Sequence, residues 1–106
     1  MLGFRVDGVS VSGGDSLVAE RLFKGIGPSR IYCKNVGDET VDSVSVKIGP
    51  DLSNLYEFDT SLGALAPDQV KSLRLLGPIH GLKVSAVSAS GSELSAWLAD
   101  SPEIVG

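Results

Sequence analysis

Residues 29–48 read Ser-Arg-Ile-Tyr-Cys-Lys-Asn-Val-Gly-Asp-Glu-Thr-Val-Asp-Ser-Val-Ser-Val-Lys-Ile, and their alternation decides the fold class. Ile31 and Cys33 share one face, with Arg30, Tyr32 and Lys34 on the other. After Gly37-Asp38-Glu39, the residues Val44, Val46 and Ile48 share a face opposite Ser43, Ser45 and Lys47, until Gly49-Pro50 stops the run. A two-residue period with one apolar face is the pattern of a strand that is wet on one side. The spacing predicts two such strands joined as a hairpin-like pair.

The flanking sequence repeats the pattern. Phe4, Val6, Val9 and Val11 alternate with one slip at Asp7-Gly8, which predicts a strand with a turn or bulge. Leu82, Val84 and Ala86 share a face, and after Ser90-Gly91-Ser92 so do Leu94, Ala96 and Leu98, predicting a C-terminal hairpin. Leu73 and Leu75 share a face with Val70 out of phase, so a bulge or a late start is expected there. Leu55–Asp59 has room only for a short strand crossing to an edge. Leu17–Lys24 is ambiguous: Val18 with Leu22 and Ala19 with Phe23 are four apart and Ser16 could cap a helix, so helix and strand both stand. Gly25-Ile26-Gly27-Pro28 ends that segment in either form. Gly77-Pro78-Ile79-His80-Gly81 is read as another break with His80 in a loop, and residues 101–106 as a loosely held tail.

Length and composition set the frame. One domain spanning residues 1–106 is expected, since 106 residues fall within the usual size of a single domain and no repeat or low-complexity linker divides them. With 13 Gly, 5 Pro and 15 Ser breaking the chain into short apolar stretches, the expected fold is all-β, an antiparallel two-sheet sandwich of immunoglobulin-like or jelly-roll type. A short helix near the N-terminus is left open. A net charge of −4 with no Lys/Arg run disfavours nucleic acid and anionic membranes as partners. No window approaches the ~20 apolar residues of a spanning helix.

The sequence offers little chemistry. One His and one Cys make no zinc signature. Asp38, Glu39 and Asp42 cluster in one turn without the ligand order of a calcium loop, and read as a solvated acidic turn. His80 and the many serines lack a Gly-x-Ser-x-Gly elbow. Cys33, beside Ile31 on the apolar face, reads as a small buried hydrophobe. No catalytic residue, metal or cofactor is therefore expected, and the chain is read as a non-enzyme. Trp97 and Tyr32 are the candidate interface residues, because both fall on the faces opposite the core strips; the plainer alternative is that they cap the rim of the core.

Two resemblances rest on these residues. Asn35-Val36-Gly37 followed by alternating Val resembles the hairpin of bacterial immunoglobulin-like adhesion modules, and Leu65-Ala66-Pro67-Asp68-Gln69 resembles their L-x-P-G-x turn, with Asp68 where glycine is usual. The likeness covers residues 29–99 and implies a sandwich fold. As a compact Ser/Gly/Val-rich β chain starting at Met1 without an export signal, the sequence is also similar to small accessory proteins of tailed bacteriophages: decoration, head-completion and tail fittings. That resemblance implies a virion component made in the host cytoplasm, forming homo-oligomers and binding other virion structural proteins. An adhesion module binding glycan or protein is the alternative.

Overall fold

A computed structural model describes residues 4–26, 29–57, 62–75 and 79–98. The chain stays in strand through Gly25 and Ile26, so the break expected there starts later than read; its remainder Gly27-Pro28, with Gly77-Pro78 and the tail from residue 101, lies outside the described residues. Among the described residues eight strands follow one another: β1 (Arg5–Val11), β2 (Ser16–Ile26), β3 (Ser29–Asn35), β4 (Ser43–Gly49), β5 (Tyr56–Glu57), β6 (Val70–Leu75), β7 (Ile79–Val87) and β8 (Ser92–Leu98). They form two four-stranded antiparallel sheets, the first in the order β1-β8-β3-β6 and the second in the order β2-β7-β4-β5.

The pairing has a simple rule. β1 pairs with β8, β2 with β7, β3 with β6 and β4 with β5, so the chain is one long antiparallel ribbon folded back at the β4–β5 turn. Rolling that ribbon closes it through β3–β8 and β4–β7. This is a jelly roll, a double-sheet solution to the edge-strand problem. In an immunoglobulin sandwich several consecutive strands are sheet neighbours; here only β4 and β5 are.

Both expected hairpins are thereby corrected. β3 and β4 lie in different sheets, and so do β7 and β8. Glycine-rich turn chemistry reverses a chain equally well within a sheet or across a sandwich. Either arrangement buries the strips; here Ile31, Cys33, Leu94 and Ala96 face inward from the first sheet, and Val44, Val46, Val84 and Ala86 from the second. Crossing the sandwich sets these apolar strips against one another, where each buried Val or Leu contributes roughly 1.5–3 kcal/mol.

The segment 17–24 is strand β2, not a helix. Four-apart apolar pairs satisfy a period of two as well as 3.6, so Ala19 and Phe23 share the inward face of a strand. A register shift between Leu17 and Ala19 buries Val18 beside Ala19. Phe23 meets Phe4 edge-on, with ring centres 5.9 Å apart, closing the sandwich between β1 and β2. The slip in β1 is a bulge between Val6 and Val9, with Gly8 at φ +59°. β6 pairs with β3 without a shift, so no bulge precedes Leu73; Val70 is exposed on the outer face. His80 and Gly81 lie inside β7 rather than in a loop. Gly81 is opposite Gly49, and on that bare patch the Asp51–Leu55 turn is seated: a Cβ on Gly81 would lie 2.6 Å from the Asp51 carbonyl oxygen.

Candidate interaction face

The outer face of the first sheet gathers the candidate interface residues. Arg5 is opposite Trp97, Trp97 opposite Tyr32, and Tyr32 opposite Ser72, a single cross-strand row over all four strands. The Tyr32 and Trp97 rings stack with centroids 5.7 Å apart and planes 9° apart, and both are half-buried. From the other flanking strand the Arg5 guanidinium lies 5.0 Å over the Trp97 ring, held by the Asp7 carboxylate at 3.0 Å. Tyr32 and Arg5 thus take up the ring of Trp97 from both sides. Stacking and cation–π contacts of this kind contribute about 0.5–1.5 kcal/mol each.

Positive charge surrounds this row. Arg30 donates from Nη1 to the Ser72 hydroxyl at 3.2 Å and is opposite Arg74, while Lys34 follows Tyr32 on the same face of β3. Four of the nine Lys and Arg residues therefore share one sheet face although no run of them exists in the sequence. Strand alternation carries the signal at Arg30, Tyr32 and Lys34; Arg5 and Arg74 join them only through pairing.

The opposite end of this face is acidic. Ser10, Val36, Gly37, Asp38, Glu39, Ser92 and Glu93 surround an open hollow of ≈ 580 Å³ beyond the ends of β1, β3 and β8. Asp42 is not part of it, because its Oδ2 accepts from the Ala89 amide at 2.7 Å. No group of three or more His, Cys, Asp or Glu placed to hold a metal occurs among the described residues. His80 Nδ1 lies 3.3 Å from the Phe23 carbonyl, a contact between β7 and β2. Cys33 is fully buried, and desolvation pushes its thiol up to about 12.

Asn35, beneath the acidic end, was read only as part of a turn motif, and its place as a buried hydrogen-bonding hub comes from the structure. Fully buried, it donates from Nδ2 to the carbonyls of Glu39 (2.7 Å) and Leu65 (2.9 Å). Its Oδ1 accepts from the Gly37 amide (3.0 Å) and the Ser92 hydroxyl (2.8 Å). The Asn-x-Gly spacing signalled it, since Asn commonly bonds the backbone two residues on. Asp68, which stands where the resembled turn usually has glycine, takes φ +66°, a left-handed conformation that glycine adopts without cost.

The geometry can be set beside known proteins. No protein-family model and no curated protein matches the sequence. Among solved structures, the chain is similar to a crystal structure of PirA, at 12% identity and a TM-score of 0.59, covering 99% of this chain and 96% of that one. At that identity the likeness is one of fold: an all-β chain of two antiparallel sheets.

Proposed function

We propose that this chain is a non-enzymatic structural accessory protein of a bacteriophage virion, binding by surface complementarity through the outer face of the first sheet. The observation that carries the docking surface is the Arg5–Trp97–Tyr32 stack, an aromatic and arginine ladder of the residue types enriched at interface hot spots. Such a ladder is already ordered by its own contacts, so little side-chain entropy is lost on binding. The jelly roll is an architecture used by capsid and lectin domains, and it supports the virion reading as analogy of fold alone. The glycan-binding alternative needs an open ring face. Both sides of Trp97 are occupied, and Tyr32 beside the small Ser72 is the ring that could offer one.

Co-sedimentation with phage particles from the source lysate tests the proposal. Wild-type chain should pellet with the particles, and Trp97→Ala should stay in the supernatant while remaining folded. Saturable binding on a glycan array, with no particle binding by wild type, would replace this reading by the alternative.

A further inference from the structure

Resting on the reading of this sheet face as a docking surface, we infer that its occupant is a second copy of the chain, packed face to face about a twofold axis running across the strands. The basis is the charge gradient along the strands. At one end Arg5, Arg30 and Arg74 surround the aromatic row; at the other, four to six residues along, Glu93, Asp38 and Glu39 surround the hollow. A twofold axis lying in the interface and perpendicular to the strands turns the second copy end for end. Arg30 of each copy then lies over the turn 36–39 of the other, and Arg5 over Ser10 and Glu93. An axis along the strands would instead set arginine against arginine, so charge selects one of the two face-to-face arrangements. Self-complementary twofold contacts are the commonest in soluble oligomers.

Four strands ~4.8 Å apart and six or seven residues long give a footprint of roughly 400 Å² in projection, about half the area per partner of a standard specific interface. The dimer should be of micromolar strength and steeply salt-sensitive.

Sedimentation velocity on the full chain tests this, from about 5 to 500 µM and at about 50 mM and 500 mM salt. Wild type should dimerise at low salt and dissociate at high salt. Arg30→Glu/Arg74→Glu and Asp38→Lys/Glu93→Lys alter exposed residues, and each should weaken self-association at least about tenfold, or ~1.4 kcal/mol. Mixed together, the two variants should form a 1:1 dimer and nothing larger. A wild type monomeric throughout, a dimer indifferent to both variants, or a mixture that grows beyond two would overturn the inference. If wild type is monomeric yet Trp97→Ala still abolishes particle binding, the docking surface stands and only the identity of its occupant fails.

Discussion

The Ser92 hydroxyl donates to Asn35 Oδ1 at 2.8 Å, tying the first residue of β8 to the last residue of β3 across 57 positions of sequence. The same oxygen holds the Gly37 amide, and Nδ2 reaches the segment before β6 through the Leu65 carbonyl. One carboxamide therefore fastens the corner where the chain leaves the first sheet. Its burial raises the cost of disturbing it, since an unpartnered buried polar group costs about 1–3 kcal/mol.

Asn35→Ala should destabilise the fold by about 3 kcal/mol and Ser92→Ala by about 1 kcal/mol, measured by urea denaturation. Equal small losses in both would mean that the corner is not held by this residue.

The turn chemistry predicts two changes of opposite sign. A Cβ on Gly37 would collide with the Ser92 hydroxyl and lie 2.6 Å from the Glu93 amide nitrogen, so Gly37→Ala should cost about 2 kcal/mol or more. Asp68→Gly relieves a left-handed φ and should raise stability by about 0.5 kcal/mol, offset in part by greater freedom of the unfolded chain. Thermal melts of the two variants check both signs.

A double-mutant cycle on Tyr32 and Trp97 should give a coupling energy of about 1 kcal/mol, the stacking contribution beyond area burial. Arg5→Met, which keeps the bulk and removes the charge, should lower stability by less than about 1 kcal/mol because the site is exposed and screened. Coupling near zero in chemical denaturation would show that the rings are neighbours without being partners.

Cys33 should resist thiol reagents until the chain unfolds, its thiol being fully buried. The raised value also sets a pH dependence. The unfolded thiol ionises near 9.0 and the folded one near 12, so the thiol's contribution is complete below pH 9 and is lost as pH rises through that window. Cys33→Ala should start less stable at neutral pH, from the lost packing, and decline less than wild type between pH 9 and 12. Parallel declines would mean that the buried thiol does not set the alkaline limit.

How much of this was legible in the sequence follows from the reach of each interaction. The strips Ile31/Cys33, Val44/Val46, Leu82/Val84/Ala86 and Leu94/Ala96/Leu98 are local alternations, and every one of them is buried. The Asp7-Gly8 slip was likewise readable, because a bulge is made by neighbours. The segment 17–24 was ambiguous at its root, since a spacing of four fits both periods. Trp97 and Tyr32 could each be assigned to an outward face from alternation, but their meeting could not, since it depends on β3 pairing with β8 rather than with β4.

Alternation of apolar and polar residues, read one neighbour at a time, was enough to determine a mainly β chain and the inward strips of most of its strands, while segment 17–24 stayed open between helix and strand. The tertiary structure alone decided which strand lies beside which. A one-sided strand buries its apolar face equally well beside its predecessor or across from it, and only the packing of two whole sheets separates those choices. From that packing come the jelly roll, the hub at Asn35 with its four hydrogen-bond partners, and a basic aromatic face assembled from residues scattered between positions 5 and 97.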